Sequence, residues 1–144
     1  MDDLTPQQLA ECTAEIMGGR DRASKFLGIE MVEIGPARCV MALDVREDHV
    51  QGLNVCHGGY IFSLADTAMA FASNSADTPN LAQSAQVTFL APGHLGDRLP
   101  ATATRAAEAG RNNIWDVEVV NQDGKQIAVF RGQTRAVRGK VTEM

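Results

Sequence analysis

The chain has 144 residues, of which 44% are hydrophobic, and its 18 acidic against 13 basic side chains leave a net charge of -5. That is the size and composition of one domain with a substantial core, so residues 1–144 are read as a single domain. The acidic balance and the absence of a basic run argue against nucleic acid or anionic membrane as partner. The N-terminal MDDLTPQQLAECTAEIMGG lacks the basic start and apolar core of a signal peptide, and no run approaches the ~18 apolar residues a span needs; a cytoplasmic protein is expected.

In chain order, Thr5-Pro6 opens a segment with Leu9, Cys12, Ala14 and Ile16 that ends at Gly18-Gly19, which predicts a short helix over about 5–18. A further turn is expected over Asp21 to Phe26. Ile29 to Ile34 and Arg38 to Val45 alternate apolar with polar around Gly35-Pro36, the pattern of a hairpin. The loop QGLNVCHGG then feeds the longest helical stretch, HGGYIFSLADTAMAFASN, from His57 to Asn74. On a 3.6-residue period Ile61, Leu64, Ala65, Ala68, Met69 and Ala72 share one side, with Ser63, Asp66, Thr67, Ser73 and Asn74 on the other. Asp66 is the only ionisable group between Gly58 and Ala76, whereas a helix facing water carries Lys, Glu and Arg, so the polar side is expected to be covered too.

After the helix, SADTPN marks a loop, and Leu81 to Leu90, Arg98 to Ala107, Asn113 to Asn121 and Gln126 to Val137 read as strands. Their linkers leave no room for crossover helices, which predicts a four-strand antiparallel meander and an α+β fold with the sheet curled over the helix. An antiparallel sheet of this size leaves a free edge, so pairing with a second copy is expected.

Chemistry is confined to few places. At Gly58-Gly59 free backbone N–H groups meet the positive end of the helix dipole, which suits a developing oxyanion; the glycines equally serve a simple loop-to-helix turn. Asp66 lies about two turns in, a lone carboxylate in apolar company, where function competes with a capping or solvated role. His57 can orient the loop, donate to a carbonyl or simply pack. Cys56 beside it lacks a third partner for a nucleophilic dyad, and Ser63 in GYIFSLA is no nucleophile elbow. Cys12, Cys39 and Cys56 have no CxxC spacing and His49, His57 and His94 no ligand spacing, so no metal or cofactor is expected. Arg111 and Asn112 fall in a predicted turn where an Arg could grip phosphate.

The blocks NVCHGGYIFSLADTAMAFASNS, FLAPGHLGD and FRGQTRAVRG resemble those of the hot-dog-fold acyl-CoA thioesterases, most closely the phenylacetyl-CoA branch used in phenylacetate degradation, over roughly Ala23 to Gly139. The resemblance implies a curved antiparallel sheet around one long helix, in homodimers joined edge to edge and commonly doubled to homotetramers. It implies hydrolysis of an aryl or arylacetyl-CoA to the free acid and CoA. On matching positions, Gly58 would polarise the thioester carbonyl, Asp66 would be the catalytic carboxylate from the other subunit, by direct attack or by activating water, and His57 would support the loop. Where relatives often carry an Asn, six residues before the histidine, this chain has Gln51, with Asn54 nearby. Where they often place Ser or Thr after the helix, the nearest polar groups are Gln83 and Ser84. With Gly59, Asn54, Gln83, Ser84, Arg111 and Asn112 are the expected substrate contacts. Two helical turns span about 11 Å, too far for Gly58 and Asp66 of one chain to touch one carbonyl, so a dimer is required. The rival readings are a hot-dog hydroxyacyl-thioester dehydratase and a non-catalytic acyl-CoA-binding module.

Overall fold

The computed structural model describes residues 3–144. Helix α1, Pro6–Arg20, starts at a capping box in which Thr5 Oγ1 accepts from the Gln8 N–H at 3.2 Å and Gln8 Oε1 accepts from the Thr5 N–H at 2.9 Å. Asp21 caps α2, Arg22–Leu27, which ends at Gly28 in a left-handed conformation. Strands β1, Ile29–Gly35, and β2, Arg38–Asp44, form the expected hairpin. A long loop leads to α3, Gly58–Asn74, and β3, Asn80–Phe89, follows it. Then come β4, Arg98–Ala109, β5, Asn112–Val120, and β6, Gln126–Ala136, with a last helical turn at Val141–Glu143.

The six strands make one antiparallel sheet in the order β1-β2-β4-β5-β6-β3, curved around α3 as in the hot-dog fold, an α+β architecture. The expected four-strand meander is therefore corrected to three. After α3 has crossed beneath the sheet, β3 joins the far edge against β6, and the segment 90–97 brings the chain back to place β4 beside β2. Alternation tells which face a strand turns inward but not which neighbour it takes.

The six apolar residues predicted for the inner side of α3 are all buried, with Leu64, Ala65, Ala68 and Met69 wholly so. Gly132 lets β6 lie close against the helix, since a side-chain carbon there would collide with Met69. The polar side is covered unevenly. Ser73 and Asn74 are buried, and the Asn74 amide takes the Ala70 carbonyl at 2.8 Å while its Oδ1 accepts from the Asn80 N–H at 2.9 Å. Ser63, Asp66 and Thr67 are only partly buried. A buried relay, Trp115 Nε1 to Thr134 Oγ1 at 2.9 Å and Thr134 Oγ1 to Asn80 Oδ1 at 3.2 Å, ties β5, β6 and β3 to that end of the helix. The other edge of β3 has no partner among the described residues, and Leu81, Phe89 and Leu90 beside it are 63%, 50% and 51% exposed.

Candidate active site

At the N-terminus of α3 the accounting of backbone donors isolates one amide. His57 Nδ1 accepts from the Gly59 N–H at 2.9 Å, and the His57 carbonyl accepts from Tyr60 and Ile61 at 3.0 and 3.4 Å. Only the Gly58 N–H in this first turn donates to nothing among the described residues. No acidic side chain occupies that turn, so the positive end of the dipole is uncompensated there. Because Nδ1 is an acceptor, His57 carries its proton on Nε2.

The approach to Gly58 is braced on both sides. Cys56 N–H donates to the Gly93 carbonyl at 2.8 Å and His57 N–H to the His49 carbonyl at 2.7 Å. His49 is itself buried, with Nδ1 accepting from the Arg46 N–H at 3.1 Å, Nε2 against the Leu27 carbonyl at 2.8 Å, and its ring 5.1 Å from that of Tyr60. Considered only as a metal ligand from sequence, His49 is a brace for this loop. The Gln51 N–H donates to the Val55 carbonyl at 2.9 Å, Asn54 closes the turn with φ 66°, and Gln51 Oε1 accepts from the Leu53 N–H. Gln51, Val55, Gly58, Ile61 and Phe89 line a cleft of about 450 Å³. Phe89 lies over the helix mouth so closely that a β-carbon on Gly58 would stand 2.8 Å from its ring.

Asp66 opens on a different cleft, of about 500 Å³, bounded by Met17, Phe71, Leu81, Val137 and Val141. It has no hydrogen-bond or ion-pair partner among the described residues, and burial among apolar neighbours pushes its carboxyl above the ordinary value of 3.8. Separation of the two groups follows from the helix itself, since eight residues rise about 12 Å. The neighbouring nucleophiles are silent. Burial, and secondarily Asp97, pushes the Cys56 thiol up to about 11, burial alone is the main cause at Cys39, pushed up to about 12, and Ser63 Oγ donates to the Gly59 carbonyl at 2.9 Å. No group of three His, Cys, Asp or Glu side chains stands close enough to hold a metal among the described residues.

Of the remaining predicted contacts, Gln51 joins Gly58 in one cleft and Asn54 and Gly59 border its loop, whereas four others gather elsewhere. Gln83 is the bulged residue of β3, and Ser84 pairs with Gln133, whose neighbour Gly132 faces α3; Ser84 thus points away from the helix. Gln133 Nε2 approaches both Gln83 Oε1 and Asn112 Oδ1 at 3.4 Å, and Arg111 is exposed at the adjoining turn. One chain alone does not bring these four to Gly58 or Asp66.

An anion-seeking amide at a helix mouth, a lone desolvated carboxylate on the same helix, and a six-stranded sheet curled around it define a class. The chain belongs to the thioesterase superfamily, whose family model matches residues 53–128, and it is a thioester hydrolase of the hot-dog fold. It is 37% identical over 129 residues to the acyl-coenzyme A thioesterase PaaI of Escherichia coli, covering 90% of this chain and 92% of that one. The structure of the E. coli PaaI protein, from the phenylacetic acid degradation operon, superimposes with a TM-score of 0.92 at 35% identity over 94% of this chain and 99% of that one. A mutant structure of the phenylacetic acid degradation protein PaaI from Thermus thermophilus gives a TM-score of 0.78 at 33% identity over 81% of this chain and 100% of that one. Among the described residues no helix is long and apolar enough to cross a membrane.

Proposed function

We propose that the protein hydrolyses aryl or arylacetyl-CoA thioesters, phenylacetyl-CoA or its hydroxylated derivatives among them, to the free acid and CoA. One observation carries the reading: the Gly58 N–H and the Asp66 carboxylate, both unpartnered among the described residues, open on separate clefts near opposite ends of β3, whose outer edge is free among those residues. Phe89 borders the first cleft and Leu81 the second. Antiparallel pairing of β3 with β3 of a second copy reverses the strand, so a two-fold dimer sets Asp66 of each chain toward the helix mouth of the other. We assign the homodimer as the working unit and its doubling to a homotetramer as its assembly, with each chain acting as one domain.

In this site the thioester oxygen accepts from the Gly58 N–H, and the helix dipole stabilises the charge that grows on it. Asp66 either attacks the carbonyl carbon, expelling the CoA thiolate and leaving an anhydride that water cleaves, or takes the proton from a water that attacks directly. In both routes the thiolate leaves with the electrons of the C–S bond and is protonated to CoA. Gln51, beside Gly58, orients the attacking group, and His57 holds the Gly59 amide so that the helix mouth keeps its shape. Gly59, Asn54, Gln83, Ser84 and Asn112 are assigned to substrate contact, and the exposed guanidinium of Arg111 to the CoA phosphates.

Asp66→Asn keeps the size of the side chain, so release of free thiol from phenylacetyl-CoA should fall on the order of 10²-fold or more while the folded spectrum persists. Near-wild-type turnover of this variant would remove Asp66 from the mechanism.

A further inference from the structure

The cleft beside Asp66 is closed by parts of the chain that the family resemblance leaves outside the site or at its margin. Met17 of α1, Ala23 of α2 and Val141 and Met144 at the C-terminal turn face Phe71 across it, and α1 packs on that turn. The polar side chains along it are already engaged. Thr67 Oγ1 donates to the Ser63 carbonyl at 2.7 Å, Ser24 Oγ to Asp21, and the amides of Asn74 and Asn80 to the Ala70 and Ser73 carbonyls at 2.8 and 3.0 Å. Among the described residues, only Asp66 and the exposed Arg20 at the rim lack an internal partner. Away from the Arg20 rim, a group entering this cleft therefore meets mostly carbon and hydroxyl or amide groups whose donors are already engaged, and Asp66 is the one charged group it meets there.

We infer that the elbow between α1 and α2, together with the C-terminal turn, is the wall that binds the acyl group, and that it selects a compact apolar acyl group by size. This rests on the thioester reading for the identity of the ligand. The acyl carbon lies at Asp66, its substituent runs toward Phe71, Met17 and Val141, and the CoA portion leaves outward. Acyl selectivity is then set by the terminal segments, while the reaction is set by α3.

Two variants test this through selectivity ratios. Ala23 is exposed on α2, so Ala23→Trp fills the cleft without disturbing a core position. It should lower kcat/KM for phenylacetyl-CoA relative to acetyl-CoA on the order of 10-fold or more. Met17→Ala should lengthen the cleft and raise decanoyl-CoA relative to phenylacetyl-CoA by a similar factor. Ratios that stay at the wild-type values in both variants overturn the inference. Calorimetry on the Asp66→Asn background separates this from the reaction itself, by comparing the affinities for phenylacetyl-CoA and for CoA. The acylated ligand should bind more tightly, and Ala23→Trp should abolish the difference. Equal affinities before the substitution, or an undiminished difference after it, would overturn the wall. Loss of the difference in a protein that hydrolyses no thioester would sink the hydrolytic reading and leave the wall standing.

Discussion

The two clefts are built from opposite materials. At Gly58 the free group is a backbone amide, fixed by a helix whose other first-turn amides are all engaged and braced from behind by His49 and Gly93. At Asp66 the group is a side chain without a partner among the described residues, raised in proton affinity by apolar walls. The first is preorganised by the helix and its loop; the second is desolvated and titrates. Under the proposed function, catalysis by charge stabilisation would use the former and catalysis by a base or nucleophile the latter, with one helix offering one group from its end and one from its flank.

The largest expected effect deletes the amide. Proline is well tolerated at the first position of a helix, and His57 already has the extended backbone that precedes a proline, so Gly58→Pro should keep α3 and remove the donor, displacing the Phe89 ring as any β-carbon at this position does. Thiol release should fall by roughly 10²- to 10³-fold, whereas Gly58→Ala, which retains the N–H and displaces the flexible Phe89 ring, should lose far less. Mixing Gly58→Pro with Asp66→Asn should then restore activity toward about a quarter of wild type, because half of the dimers hold one intact site of two. No recovery after subunit exchange would place both groups in one chain and end the cross-subunit scheme. On the structural side, Leu64→Ala empties a fully buried position of the helix and should cost about 2–5 kcal/mol in denaturant unfolding.

The smallest effect is the pH signature of the second cleft. Since burial raises the Asp66 carboxyl above 3.8, the acidic limb of kcat/KM should be displaced upward from the ordinary aspartate value. The sign for stability is opposite to that of a salt-bridged acid. Below the ordinary value both folded and unfolded chains hold the proton and nothing is lost; as pH rises through the raised value, ionising Asp66 costs the folded state more than the unfolded one. Asp66→Asn should therefore raise the thermal midpoint slightly at neutral pH, with the gain vanishing below about pH 4.

Much of this was legible in the residues, and the remainder has physical reasons for being hidden. Hairpin, helix and strands were readable because periodicity is local, and the bareness of α3 exposed Asp66 as the one charge on it. The neighbour of β3 was not readable, since pairing with β6 rather than β4 depends on how the chain wraps the helix. His57 and Gly58 announced themselves by sequence adjacency. Phe89, thirty-one residues away, reaches Gly58 only through the sheet, and its place at the end of a strand before APG was the sole hint. His49 offered no spacing because its partners, Arg46, Leu27 and Tyr60, belong to three different elements. Gln83, Ser84, Arg111 and Asn112 were chosen by position relative to a pattern, and the bulge at Gln83 turns that stretch of β3 toward the outer face.

The engagement of three first-turn amides also limits the valency of the helix mouth. Phosphate and carboxylate groups are gripped at helix ends by several N–H donors converging on more than one oxygen. Here His57 has consumed all but one, through its ring and its carbonyl, so the end of α3 can coordinate a single oxygen atom. Under the proposed function, the carbonyl of a ligand that also carries three phosphate groups takes this monodentate seat, which offers a phosphate no second donor.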